Sequence, residues 1–172
     1  HEDPHRILFV SQPISATASM PGFTSIGYDE NIVIKNALAA LETLPEEFYL
    51  SLRLHPKEPA DKYAEYLGPR VRRAEEATLE EAISASGLII GMASPVLMQA
   101  AAADKKVLSY EPGLTGLDPL VSNRVGVTTL IESPEALTAA LTAYTKGTWP
   151  FHTRPLREVW PAGATERVVA VV

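Results

Sequence analysis

His55 and Ser94 are the side chains of this chain best placed to do chemistry. An imidazole near neutral pH binds a phosphate, or protonates a phosphate-bearing leaving group. A serine just before a helix meets an anion with its hydroxyl, helped by the helix dipole. His55 closes the apolar run Tyr49-Leu50-Ser51-Leu52-Arg53-Leu54, and Pro56 imposes an extended exit from that run. Ser94 follows Leu88-Ile89-Ile90-Gly91-Met92-Ala93 and precedes Pro95, a residue type favoured at the first helical position. Both places are strand ends that lead into helices, where open α/β sheets bind ligands. Each residue also has a plainer reading: His55 as a ring bonded to a backbone carbonyl, Ser94 as a helix cap alone.

Other residues join this pair with weaker signals. Lys57 adds charge beside a phosphate, or is simply solvated. Gln99 lies one turn into the helix that Pro95 opens, where it reaches a ribose hydroxyl or the surface. Glu75 and Glu76 follow a short apolar stretch and read as a helix approach or as base contacts, and Glu111 ends another apolar run. No Gly-x-Ser-x-Gly surrounds Ser94, so it is not read as a nucleophile. Neither Gly-x-Gly-x-x-Gly nor a Walker A motif occurs. His1, His5, His55 and His152 lack metal-site spacing, so no metal or cofactor is expected. Arg70, Arg72 and Arg73 read as a solvated strand edge.

The elements that must hold these residues alternate. Strands are expected at Arg6–Val10, Phe48–Leu54, Val71–Ala74, Leu88–Ile90, Lys106–Tyr110 and Val127–Ile131. Between them, Asp29 caps a helix that stops before Pro45, and Pro59 opens one carrying Tyr63, Tyr66 and Leu67. Thr78-Leu79-Glu80-Glu81 is a capping box for a helix ending at Ser86-Gly87. Pro95–Asp104 is the next helix, and Ser133 caps Ala136–Tyr144. Residues 11–27 form a long loop of the kind that is often functional. This alternation predicts an α/β fold: a Rossmann-like, doubly wound, mostly parallel six-stranded sheet flanked by helices. Residues 1–5 read as a linker, and residues 6–172 as one domain. Its tail, about 146–172, packs back with Trp149, Phe151, Trp160 and a helix from Gly163 to Val172.

Composition narrows the function classes. The 172 residues suffice for one core, and a net charge of −6 with a pI near 5.2 argues against nucleic acid as partner. No apolar run approaches the roughly 20 residues a membrane span needs. There are no cysteines, which excludes disulfides and thiolate metal sites and fits a cytoplasmic location. The start, His1-Glu2-Asp3-Pro4-His5, has neither initiator Met nor signal-peptide core, so a parent protein extending further upstream is expected.

The strings Leu54-His55-Pro56-Lys57-Glu58 and Ala93-Ser94-Pro95-Val96-Leu97-Met98-Gln99-Ala100, in this order of elements, resemble the C-terminal domain of GT-B glycosyltransferases. Within that group the chain looks most like bacterial sialyltransferases and capsule-type transferases that carry a His-Pro motif and a later Ser motif. The resemblance extends to Lys106–Gly113 and Gly163–Val168. It implies half of a GT-B architecture that binds a nucleotide-activated sugar, such as a CMP-sugar. His55 and Ser94 would hold the phosphate, with Pro56, Lys57, Pro95 and Gln99 around it and Glu75–Thr78 near the base. His55 would stabilise the leaving phosphate of an inverting displacement. Pro95 stands where a second hydroxyl residue is common, and Gln99 where Glu is common. The Asp/Glu-Asp/Glu-Gly pattern of the acceptor half is missing; Asp29-Glu30-Asn31 is the nearest string. An N-terminal domain of the parent protein is therefore the expected partner for catalysis. The alternatives are a non-catalytic Rossmann-like association module and half of a sugar-nucleotide epimerase of the same architecture.

Overall fold

Six short apolar stretches pair side by side, and all of them run the same way. The computed structural model describes residues 1–18 and 26–160. The strands are β1 (Asp3–Val10), β2 (Tyr49–Arg53), β3 (Val71–Arg73), β4 (Ser86–Gly91), β5 (Lys106–Tyr110) and β6 (Thr129–Ile131). They form one parallel sheet in the order β3-β2-β1-β4-β5-β6, the arrangement of a Rossmann-like doubly wound fold. The strand order reverses beside β1, so a crevice opens where β1 and β4 diverge into their loops.

Helices cover both faces: α1 (Ile14–Ala18), α2 (Glu30–Leu41), α3 (Leu79–Ser84), α4 (Pro95–Ala102), α5 (Val121–Arg124), α6 (Pro134–Thr145) and α7 (Leu156–Val159). Alternate residues of β1 enter different cores, as a sheet buried on both sides requires. Ile7 and Phe9 pack with Val33, Ile34, Ala37 and Leu41 of α2 and Leu137 and Leu141 of α6. Leu8 and Val10 pack with Ala82 and Ile83 of α3 and Leu97 and Ala100 of α4. The caps form as the sequence indicates. Asp29 accepts from Asn31 and Ile32, Thr78 completes its capping box with Glu81, and Ser133 accepts from Ala136.

Four expectations need correction. β1 begins at Asp3, so Asp3–His5 belong to the sheet and not to a linker. The Asp3 N–H donates to Ala85 O at 2.9 Å, and its carboxylate accepts from the Tyr49 hydroxyl at 2.9 Å. The helix expected after Pro59 shrinks to a single 3₁₀ turn, Ala64–Tyr66. Tyr63 takes a left-handed φ of 65°, which ends any α-helix there, because its ring is buried against Phe9 and its hydroxyl meets Ser11. Ser86-Gly87 starts β4 instead of ending a helix. A Cβ on Gly87 would lie 2.2 Å from the Tyr144 hydroxyl and 2.9 Å from the Pro4 Cα, so glycine lets β1 and α6 close on this strand. In the tail, Trp149 packs edge-on to Tyr144 and Phe151, whereas Trp160 is 47% exposed at the end of a four-residue helix too short to bury it. The helix expected from Gly163 lies outside the described residues.

Candidate functional site

The carboxyl ends of β1, β2 and β3 and the start of α4 enclose a crevice of about 420 Å³. Its walls are Val10 and Ser11 from β1, Leu52–Pro56 from β2 and its exit, Arg73 and Ala74 from β3, Leu79 of α3, and Ser94 and Val96. His55, Pro56 and Ser94 therefore line one crevice, although His55 and Ser94 lie 39 positions apart in sequence. The other expected contributors lie elsewhere. Lys57, Pro95 and Gln99 are exposed and do not line the crevice. Glu75 is exposed too, and lines a neighbouring cavity of about 340 Å³ with Arg6, Tyr49, Ser51, Arg72, Arg73 and Glu76.

His55 is half-buried, and its Nδ1 accepts the Lys57 N–H at 3.1 Å. That bond places the proton of the neutral ring on Nε2, so a neutral His55 still presents a donor. Ser94 is buried, and its Oγ accepts the Val96 N–H at 3.3 Å, the bond of an N-cap. The helix end offers an anion fewer amides than expected. Pro95 has no N–H, Val96 is taken by Ser94 Oγ, and Leu97 donates to Ser94 O at 3.0 Å. What remains is the Ser94 hydroxyl hydrogen and the dipole of an eight-residue helix.

Positive charge comes instead from residues that the motifs do not contain. Arg53 and Arg73 both line the crevice, and among the described residues no Asp or Glu does. Arg53 donates to Glu76 O at 2.6 Å. Arg73 is half-buried and has no hydrogen-bond or ion-pair partner among the described residues. The apolar part of the wall, Leu52, Leu54, Ala74 and Leu79, sits beside it. A crevice with cations, a donor imidazole, a hydroxyl and an apolar wall suits an anion joined to a flat or apolar body.

A buried network shapes the crevice from behind. Glu58 accepts the His55 N–H at 2.7 Å, the Ser11 hydroxyl at 2.8 Å and Lys62 Nζ at 2.7 Å. Lys62 bridges on to Glu30, the first residue of α2, at 2.7 Å, and Glu30 also accepts the Ser15 N–H at 2.8 Å. Burial raises the Glu30 carboxyl, but the bonds from Lys62 and Ser15 outweigh it and leave the group below its ordinary value. Burial, with the Glu58 and Glu30 charges adding to it, outweighs Ser11 and Lys62 and pushes the Tyr63 phenol up to about 12, so its hydroxyl stays protonated beside Ser11. Glu58, Ser11 and Lys62 escaped the sequence reading, and only the Glu58/Lys62 spacing of four hinted at a pair.

A second polar cluster lies at the exit of β5. Glu111 is fully buried and accepts from Ser109 Oγ at 2.6 Å, Tyr28 OH at 3.0 Å and Asn123 Nδ2 at 3.2 Å. Burial drives its pKa up, and burial with the Glu111 charge drives the Tyr28 phenol up. Among the described residues, no three His, Asp or Glu side chains come together as a metal site, and no helix is long and apolar enough to cross a membrane. No protein-family model matches this chain, and no curated protein matches its sequence.

Proposed function

We propose that this domain binds a nucleotide-activated sugar, and that the crevice holds the leaving nucleotide phosphate. The observation that carries this reading is the lining itself. His55, Arg53 and Ser94 converge at the carboxyl edge of a doubly wound sheet, Arg73 lies further along the same wall, and no carboxylate is among the described lining residues. Preorganised donors of this kind stabilise the charge that develops on a departing phosphate. His55 donates from Nε2, Ser94 from its hydroxyl, and Glu58 holds the backbone of His55 in place. The resemblance of Leu54–Glu58 and Ala93–Ala100 to GT-B donor domains supports the same reading, with CMP-sugars as a donor class. Attack on the anomeric carbon is then made by an acceptor hydroxyl that gives its proton to an acidic residue of an N-terminal domain in the same parent protein, acting in the cytoplasm, as the nucleotide phosphate leaves.

Calorimetric titration of the folded chain with CMP, CDP and UDP tests the proposal. Binding tighter than about 1 mM for at least one of them, weakened about tenfold by His55→Ala, is expected for loss of one charge-assisted bond. A folded protein that binds none of the three refutes it. The alternative of an association module is favoured by one observation. Leu117 is 76% exposed and Val121 42% exposed beside the β5 exit. A concentration-dependent dimer in sedimentation, with no nucleotide affinity, would select it.

A further inference from the structure

We propose that Arg73 binds a second acidic group of the ligand, at a position distinct from the one made by His55 and Ser94. This inference rests on the donor-crevice reading above. Arg73 is the last residue of β3, in register with Leu52 of β2, and it lines both the 420 Å³ crevice and the 340 Å³ cavity beside it. Its guanidinium has no partner among the described residues, whereas its neighbours are engaged. Arg72 lies over the Tyr49 ring at 4.4 Å and donates to Pro69 O at 3.0 Å, while Arg6 is paired with Glu76. Glu76, three residues on, is committed to Arg6, and Arg53 is held on the Glu76 carbonyl; Glu75, which lines the smaller cavity with Arg73, is exposed and makes no ion pair with it. Two guanidiniums therefore line a crevice with no carboxylate among its described lining residues, which favours the entry of an anion.

Strand order separates the two anion positions. Across the edge the sequence is β3, β2, β1, β4, and neighbouring strands lie about 4.8 Å apart. Ser94 follows β4 and so stands roughly three spacings, about 14 Å, from the β3 backbone. His55 follows β2, between them. One phosphate touched by Ser94 and His55 leaves the Arg73 fork free for a further charged group on the same ligand. Arginine is suited to that role, since its planar donors take two oxygens of a phosphate or carboxylate together. The second group is either a β-phosphate or a carboxylate on the activated sugar.

Calorimetry on the full chain and on Arg73→Gln separates these sources. The first arm compares CDP with CMP and UDP with UMP. The second compares a CMP-activated sugar acid with CMP. One arm is expected to show the two-charge ligand binding about tenfold more tightly, the worth of one bidentate ionic contact, with the gain lost in Arg73→Gln and partly kept in Arg73→Lys. Far-UV circular dichroism matching wild type reports that the variants are folded, and in Arg73→Gln the loss of affinity should be larger for the two-charge ligand than for CMP or UMP. Gain in the first arm identifies the β-phosphate, gain in the second the sugar carboxylate. If nucleotides bind but neither gain depends on Arg73, this inference is overturned and the donor reading stands. If no nucleotide binds the wild-type chain, both fall.

Discussion

Removing the carboxylate of Glu76 should destabilise the fold in a manner that depends on pH. Arg6 enters the sheet face from β1 with its side chain only 11% exposed, and both its terminal nitrogens bond the Glu76 carboxylate, one of them at 2.9 Å. The bond from Arg6 outweighs burial and holds Glu76 at about 2, against an ordinary 4.5. At about 1.4 kcal/mol for each pH unit, that depression corresponds to roughly 3 kcal/mol at neutral pH. A fifth of the Glu76 side chain meets water, and screening trims the figure to about 2–3 kcal/mol. The sign follows from the direction. A depressed carboxyl stabilises the folded state above its unfolded value near 4.5, and that stabilisation is lost as pH falls towards 2.

The perturbation is Glu76→Gln, and the assay is urea unfolding followed by far-UV circular dichroism at pH 7 and pH 3. With a urea slope of about 1–3 kcal/mol per molar for a domain of this size, the midpoint at pH 7 should fall by about 1–2 M. The gap between variant and wild type should narrow at pH 3. Arg6 Nε already lacks a partner in the buried pair, so stranding the whole guanidinium is the costly step. Replacing both residues, Arg6→Met with Glu76→Met, should bring stability back to within about 1 kcal/mol of wild type. Equal midpoints for Glu76→Gln and wild type at pH 7, or a gap of the same size at pH 3, would refute the reasoning.

Gly27→Ala should cost more than about 1 kcal/mol in thermal or urea unfolding, because Gly27 has φ +95° and an added Cβ would lie 2.1 Å from Gly113 O. Gly68→Ala, with nothing within 4 Å of its Cβ, is the control and should change stability little. Glu111→Gln should remove a pH dependence of the opposite sign. Burial raises Glu111, with Tyr28, Ser109 and Asn123 as its donors and Asp118 adding repulsion, so its stabilisation is complete below the ordinary 4.5 and lost as pH rises. The difference in urea midpoint should move in the variant's favour from pH 4 to pH 8, and a difference of the same size at both would count against a raised Glu111 carboxyl. Thr78→Ala should cost about 1 kcal/mol through loss of the bond that the Glu81 N–H donates to the Thr78 hydroxyl, read as a fall in urea midpoint.

The sequence carried the elements whose signals are local. The hydroxyl or carboxylate caps at Asp29, Thr78, Ser94 and Ser133 each sit one residue before a helix, and Lys106–Tyr110 matches β5 end for end. Alternation of strands and helices was enough for the fold class, because parallel strands need crossovers. Where a distant partner decides, local signals failed. Pro59 opens no α-helix because Tyr63 is drawn into the core by Phe9 and Ser11, 54 and 52 positions away in sequence.

The arginines after Gly68 show why the candidate site was only half legible. Arg70, Arg72 and Arg73 look alike in the sequence and read together as a solvated edge. The fold gives them three different environments. Arg70 donates to the carbonyls of Leu41, Leu44, Pro45 and Phe48, closing the end of α2 onto the start of β2. Arg72 spreads over Tyr49, and Arg73 lines the crevice with no partner among the described residues. No propensity separates these outcomes, since each depends on which strand lies beside β3 and on what Glu76 is already holding. His55 and Ser94 were legible because a proline next to each fixes its backbone locally. The charge that makes their meeting point attractive to an anion comes from strand order, and strand order is what a single sequence expresses least.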